Sequence, residues 1–568
     1  MNFTVTSQGR QFDRLALMYL GDTEVWRTST AEPVAPPGIR WTYLKDMTAY
    51  LSMWKTPQKL IFDLGNLIDD KYTGPFNTTL TATFFLAEVD TGAAPPSDLV
   101  IPISKRQAAA DAVSQFTLPA DSATDTVASF PRNARRAVFS VSACGQASEE
   151  FWWSNVLQSD VDAFNATAGA FPGLSPFREV QVLIDGQLAG VEWPFPVIFT
   201  GGVVPSLHRP VVGIDAFDLR EHEIDITPFL PLLCDGAAHT FTIRVAGLDD
   251  TGPSTRVTET VGDSWYVTGK IFVWLDDEGS VTTGTGPVIE QTPPTVTLTH
   301  ELGQTANGTY ETLAYDTVVR RRFVATATVK TQKGSGAVSW TQTLVYSNKG
   351  FISGFGYNQI NDLIITGSDA AAGDKLAYRA EYRYPLYANS TYSVLAQGNL
   401  TLQAHVVQGK QVLLSGASVF PNGLEAFASA GKRFAGGSLL ATTKEGTASF
   451  FQTGDGKNSS GFGTSNQVMT FGGVGGAGSL GERPDAELYF RNVTAVNGTV
   501  VYDRERLAGV GGQGGADGGR PRGGQAHYSA FAPAGKWMRE GGAPMVFMGR
   551  TGGEGMERAG GVAVRQRP

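Results

Sequence analysis

The chain is cut into short apolar runs, each about one β-strand long and each stopped by turn-forming residues. Leu15-Ala16-Leu17-Met18-Tyr19-Leu20 ends at Gly21-Asp22, and Lys59-Leu60-Ile61-Phe62-Asp63-Leu64 ends at Gly65-Asn66. Residues 79–89 are rich in Thr, Phe and Leu, and Thr-rich alternating runs continue at 295–299, 322–329, 340–345, 378–387, 400–407 and 486–493. Strand-length runs with turns every ten residues or so predict an all-β protein built of sandwiches or jelly rolls.

At 568 residues there is room for roughly three to four domains, each with its own core. The composition shifts predict a first jelly roll over 1–100, a linker over 101–128, a second jelly roll over 129–280 and a further β-rich domain over 285–505. From 506 to 568 the chain turns glycine-rich and basic, with Arg520, Arg522, Arg539, Arg550, Arg558, Arg565 and Arg567. Such a tail buries too little apolar surface to offset its ordering entropy and is expected to be disordered. The start alternates like a strand and has neither a basic nor an apolar leader segment. The expectation is that a first strand and an export signal lie upstream.

The first two units echo one another. Asp46-Met47-Thr48-Ala49-Tyr50-Leu51-Ser52-Met53-Trp54 and Asp225-Ile226-Thr227-Pro228-Phe229-Leu230-Pro231-Leu232-Leu233 share one pattern, and each leads into a strand. Upstream of each lies a hairpin signature, Tyr19-Leu20-Gly21-Asp22 and Leu183-Ile184-Asp185-Gly186. A carboxylate precedes the hairpin in both: Asp13 in the first repeat, Glu150 in the second. Two sandwiches packed side by side would let both acids line one groove.

The densest chemical signal is Ser148-Glu149-Glu150-Phe151-Trp152-Trp153-Ser154-Asn155, two acids running into three rings. Aromatic faces stack on sugar rings, and carboxylates hold hydroxyls or move protons. The same letters also describe a solvated strand end followed by core aromatics. A second unusual stretch, 193–210, carries Trp193, several prolines, Gly201-Gly202 and His208-Arg209-Pro210. Its prolines preclude regular ladder pairing, and long ordered loops tend to carry function. Arg209 is a candidate donor to a carbonyl; a structural salt bridge is the competing reading.

Charge and spacing exclude other classes. A net charge of −9 disfavours nucleic acid or an anionic membrane as partner, and no apolar run is long enough to span a bilayer. Cys144 and Cys234 form no scaffold, and the six histidines include no metal-ligand spacing, so no metal and no cofactor is expected. There is no G-x-S-x-G elbow for a serine nucleophile. Acceptor motifs Asn-x-Ser/Thr occur at Asn2, Asn77, Asn165, Asn307, Asn389, Asn399, Asn458, Asn492 and Asn497, which predicts a secreted or vacuolar glycoprotein. Two carboxylates at a sugar fit a glycoside hydrolase, hydrolysis of a sugar-linked amide, or a glycan-binding protein without turnover.

Gly9-Arg10-Gln11-Phe12-Asp13-Arg14, Arg27-Thr28-Ser29-Thr30-Ala31-Glu32-Pro33, Glu150-Phe151-Trp152-Trp153-Ser154-Asn155, Trp193-Pro194-Phe195-Pro196 and Arg209-Pro210 together resemble the peptide:N-glycosidase A family. The likeness is strong through about residue 280, looser to about 505, and excludes the tail. It implies an amidase that cleaves the β-aspartylglucosylamine bond of N-glycosylated peptides or glycoproteins, releases the glycan as glycosylamine and converts Asn to Asp. More remotely, the motifs are similar to those of bacterial peptide:N-glycosidase F, with two jelly rolls and a site between them. By that likeness Asp13 leads catalysis with Glu150 as its partner, and Arg209 resembles an active-site arginine of the second domain; Arg14, Glu149, Trp152, Trp153, Trp193 and His208 are the other expected substrate contacts. Two departures stand out. The bacterial enzyme's further glutamate has no counterpart in Lys71-Tyr72-Thr73-Gly74, and His208 stands where plant members usually have Trp.

Overall fold

The computed structural model describes residues 1–33, 38–70, 72–84, 95–209, 213–373, 378–416, 437–475, 480–481 and 483–508. Pro210, Lys71, residues 85–89 of one expected strand, and the tail beyond 508 lie outside the described residues. The fold is all-β, as the strand-length runs require.

The first unit is two small sheets face to face. One is ordered Ile39–Leu44, Asn2–Ser7, Phe76–Thr81; the other is Thr23–Ser29, Leu15–Leu20, Leu60–Leu64. Phe3 and Val5 from the first meet Met18, Leu20, Val25 and Trp26 from the second. Gly21-Asp22 turns the hairpin between Leu15–Leu20 and Thr23–Ser29, with Gly21 at φ 56°. Asp185 and Gly186, at φ 48° and 79°, turn the hairpin Glu179–Ile184/Gln187–Glu192 of the second unit. The repeated Asp-x-Thr landmarks also fold alike. Thr48 N donates to Asp46 Oδ1 at 2.8 Å and Thr227 N to Asp225 Oδ1 at 2.9 Å, each opening a 3-10 turn.

The second unit pairs a five-stranded sheet with a four-stranded one. The former is ordered His222–Asp225, Ala134–Gly145, Trp265–Leu275, Leu99–Ile103, with Phe116–Leu118 also on Trp265–Leu275. The latter runs Gln187–Glu192, Glu179–Ile184, His239–Ala246, Thr124–Val127. Strands from 99–103, 116–118 and 124–127 thus enter these sheets, so the stretch expected as a linker bears strands. The five-stranded sheet is buried on both faces, which explains the near-continuous burial of Ala134–Gly145. Val138, Phe272 and Trp274 join the first unit's core, while Phe139, Val141, Ile271 and Val273 join the second's. A buried Arg27–Glu24 pair stitches the two units: Arg27 Nη1 donates to Tyr266 O at 2.7 Å and Thr268 Oγ1 to Glu24 Oε2 at 2.6 Å.

The last unit is one eleven-stranded antiparallel sheet from Thr283–Gln291 to Thr499–Leu507. From Tyr310–Thr331 onward each strand pairs with the next, and two short strands share the edge of Tyr310–Thr331. Alternation puts Leu344, Tyr346, Leu363, Ile365, Tyr382, Tyr384 and Leu386 on the inner face, continuous with the second unit's core. That face also buries Gln342, Asn348, Gln359 and Asn361 completely. A buried amide must find partners. Gln342 brackets Val191 through N–H and C=O at 2.9 Å each, Asn348 Nδ2 donates to Trp153 O at 2.8 Å, and Gln359 Nε2 donates to Ser154 O at 2.7 Å. The long sheet therefore grips the backbone of the acid-aromatic stretch. No helix among the described residues is long and apolar enough to cross a membrane.

Candidate active site

Asp13 lies where the first hairpin extends beyond its regular ladder. Arg14 N donates to Thr30 Oγ1 at 2.8 Å and Thr30 N to Arg14 O at 2.9 Å, so the Phe12-Asp13 segment runs beside Ala31-Glu32. Gln11 fixes the far side: its Nε2 donates to Leu67 O at 2.8 Å while its Oε1 accepts from Arg14 Nη2 at 2.5 Å. The Arg14 guanidinium lies 5.2 Å from the centre of the Tyr72 ring, which also packs against Phe12 at 5.4 Å. The loop carrying Leu67 and Tyr72 comes this close because Gly9, at φ 124°, has no Cβ. One built there would sit 2.9 Å from Gly74 Cα. Covered in this way, Asp13 is only 6% exposed.

Arg209 reaches the same place from the second unit. Its Nη2 pairs with Glu32 Oε2, and both side chains are buried. Gly201, at φ 71°, makes room for the pair; a Cβ there would stand 2.7 Å from both Arg209 Nη2 and Glu32 Oε1. The loop is laid along the long sheet rather than hanging free. Ser206 Oγ donates to Ser449 O at 3.0 Å, Lys444 Nζ to Ile198 O at 3.2 Å, and Gln408 Nε2 to Pro196 O. Glycines at 446, 461 and 463 let the loop approach the strands closely.

Two acids and two guanidiniums thus share a nearly dry space. Burial pushes Asp13 up to about 6, against the pull of Arg209 and Arg14. Burial likewise raises Glu32 to about 8; Arg209 opposes the rise and the Asp13 charge adds to it. The two carboxyls are therefore poised to lose their protons one after the other near neutrality, where unperturbed carboxyls would both be ionised.

Glu150 follows the long strand Ala134–Gly145 of the second unit. It caps a 3-10 turn at Ala147–Glu149 and is 7% exposed; the Cys144 thiol is pushed up to about 11, chiefly by burial, with the Glu150 charge adding to the rise. Cys144 shares a small apolar cluster with Ala31 and Phe199, next to Glu32 and just before Gly201. Cys144 and Cys234 are both free and buried.

The other expected contacts are placed differently. Glu149 faces inward, where Arg178 Nε and Nη2 donate to its carboxylate at 2.5 and 2.8 Å and Trp265 Nε1 at 2.9 Å. Trp152 and Trp153 are 3% and 0% exposed and belong to the main core. Trp193 donates its Nε1 to Glu179 at 3.0 Å and packs edge-on to Phe177. These rings are core because the long sheet covers the turns that carry them. His208 is 1% exposed against Gly446, at φ 55°. Burial and then the Lys444 charge hold it well below its usual range, so it stays neutral. Neither ring nitrogen has a hydrogen-bond partner among the described residues.

Comparison with known proteins bears on this geometry. A family profile described as peptide N-acetyl-beta-D-glucosaminyl asparaginase amidase A matches residues 1–292, more than half the chain. The chain belongs to that family. The profile of the family's C-terminal domain matches residues 314–386, within the long sheet. A curated relative, the peptide-N4-(N-acetyl-beta-glucosaminyl)asparagine amidase A of Prunus dulcis, is 30% identical over 523 residues, covering 89% of this chain and 82% of the relative. No solved structure matches.

The structure gathers Asp13, Arg14 and Arg209 and gives Glu149, Trp152, Trp153, Trp193 and His208 to the interior; Glu150 is buried at the end of its own turn, where its charge acts on Cys144. Sequence reasoning assigned no role to Glu32, Gln11 or Tyr72. Glu32 did carry a signal, an acid between a Ser/Thr-rich strand end and a proline inside a quoted family motif. Nothing local marked Tyr72.

Proposed function

We propose that this protein hydrolyses the β-aspartylglucosylamine bond of N-glycosylated peptides, releasing the N-glycan as a glycosylamine and leaving aspartate. Family membership supports the reaction class, and the buried Asp13 beside Arg209 is the one observation that carries the site assignment. Asp13 serves as the base. A carboxyl poised near 6 is ionised at neutral pH yet basic enough to take a proton from water. That water attacks the asparagine side-chain carbonyl, and the oxygen that becomes negative is stabilised by the Arg209 guanidinium, held in place by Glu32. Arg14, locked by Gln11 and Tyr72, holds positive charge beside Asp13. Glu150 is assigned the orienting of the innermost sugar or the water, on the family likeness of its motif. The protein works in the secretory pathway or outside the cell. None of its nine acceptor asparagines is buried, so each is open to glycosylation.

The test is mass spectrometry of a defined glycopeptide. The expected products are an intact glycan and a peptide in which Asn has become Asp. A glycan cut between sugars, with Asn keeping its innermost residue, refutes the reading. Asp13→Asn should lower turnover by about 10²- to 10⁴-fold, the span expected for a lost general base. Its folding should be retained, since burial already disfavours the Asp13 charge.

A further inference from the structure

Cleaving an amide needs two proton transfers. Water must lose a proton as it attacks, and the departing amine nitrogen must gain one, because an amide anion is too poor a leaving group. Asp13 accounts for the first. A second group must be protonated while Asp13 is ionised and must lie beside it.

We propose that Glu32 is the general acid of this site, giving its proton to the glycosylamine nitrogen as the carbon–nitrogen bond breaks. This rests on the amidase reading above. Three geometric facts support it. The Arg14–Thr30 backbone ladder sets the Asp13 segment alongside Glu32. The Glu32 side chain is only 5% exposed, so bulk water does not set its protonation. Arg209 contacts Glu32 through Oε2, leaving Oε1 on the Gly201 side of the carboxyl.

The charges facing Glu32 come from two segments, Asp13 and Arg14 from the loop after Asn2–Ser7 and Arg209 from the 193–210 loop; Asp69, on the loop that carries Tyr72, faces Arg14. Burial outweighs the two guanidiniums and keeps Glu32 protonated up to about 8, while Asp13 ionises at about 6. One proton is therefore shared between the two acids over the interval in between, as a pair of close carboxyls requires.

The step balances. A water oxygen bonds to the side-chain carbonyl carbon and its proton goes to Asp13. The carbon–nitrogen bond then breaks, its electron pair stays on nitrogen, and the Glu32 proton completes the amine. The products are aspartate on the peptide and a glycosylamine. Proton transfer from Asp13 to Glu32 restores the starting state without an external reagent.

The decisive measurement is the pH profile of kcat and kcat/KM on a synthetic glycopeptide, followed by Asp formation, for wild type, Glu32→Gln and Glu32→Asp. Wild type should give a bell, rising as Asp13 ionises and falling as Glu32 does. Glu32→Gln should lower kcat by about 100-fold or more with KM little changed, and should lose the alkaline limb, since general acid catalysis contributes about 10²- to 10⁴-fold. Glu32→Asp should recover part of kcat and regain the limb. If Glu32→Gln fails to fold by circular dichroism, Glu32→Asp decides: a displaced alkaline limb with lower kcat supports the assignment, and a profile superimposable on wild type overturns it. A Glu32→Gln enzyme that keeps the alkaline limb, whatever its kcat, overturns it and leaves the amidase reading intact. Wild type that forms no Asp overturns both.

Discussion

Glu149 and Glu150 are neighbours in sequence with opposite expected fates, and Glu149→Gln measures the difference. Arg178 is fully buried and gives Nε and Nη2 to the Glu149 carboxylate. Its Nη1 is spent on the carbonyls of Leu174, Ser175 and Phe177 at 2.9, 2.9 and 2.7 Å. Trp265 Nε1 adds a third donor to the carboxylate at 2.9 Å. Glutamine keeps one acceptor oxygen but turns an NH₂ toward a guanidinium, and it leaves the Arg178 charge uncompensated in the interior. Removing one partner of a buried ion pair costs about 3–5 kcal/mol, and the retained acceptor puts this variant at about 3. The backbone cannot shift away to relieve the conflict, because Gly145 already lies so close that a Cβ there would meet Glu149 O at 2.2 Å. Urea unfolding of wild type, Glu149→Gln and Asp13→Asn, followed by tryptophan fluorescence, gives the comparison directly. Glu149→Gln should unfold at clearly lower urea, and its turnover, measured where it is still folded, should stay far above that of Asp13→Asn. A Glu149→Gln stability within about 1 kcal/mol of wild type would refute the structural role assigned to the Arg178 pair.

Stability should also fall as pH rises from about 5 to 9. Asp13, Glu32 and Glu192 are held up by burial at about 6, 8 and 7, so the folded chain binds more protons than the unfolded one across that interval. Their contribution is complete below the ordinary carboxylate range and is lost as pH passes through the folded values. Thermal melts should therefore show a lower Tm at pH 8.5 than at 5.5, and Glu192→Gln should flatten that slope; a Tm that climbs with pH contradicts it. Gly201→Ala should drive Glu32 and Arg209 apart while leaving the sheets intact. A displacement of about 1 Å there should reduce kcat by about tenfold or more, and an unchanged kcat would count against the pairing.

What the sequence made legible follows from how local each signal is. Strands such as Tyr310–Thr331 and Asn358–Ala372 alternate so regularly that their two faces are readable without coordinates. The hairpins at Gly21-Asp22 and Asp185-Gly186 are fixed by the positive φ angles their turns demand. Asp13 and Arg209 are conspicuous as charged residues in loop motifs. Trp152 and Trp153 are not decidable locally, because the surface that buries them is supplied by Asn348 and Gln359, about two hundred positions later. The same distance hides His208, packed on Gly446. Glu149 and Glu150 look equivalent as letters, yet one points at Arg178 and the other does not. Only the turn geometry separates them. Glu32 is inconspicuous in the sequence because the groups that give it importance are Asp13, nineteen positions earlier, and Arg209, far downstream.

The buried amides of Gln342, Asn348 and Gln359 have a practical consequence for anyone wishing to shorten this protein. Their bonds to the sandwich end on its main-chain carbonyls and an N–H, so no point mutation on the sandwich can replace them. A clone stopped near residue 280 would leave those groups, and Trp153 with them, open to solvent. It should misfold or aggregate in expression trials. A compact reagent for stripping glycans must instead be cut from the exposed far edge of the eleven strands, keeping those that carry Gln408 and Lys444.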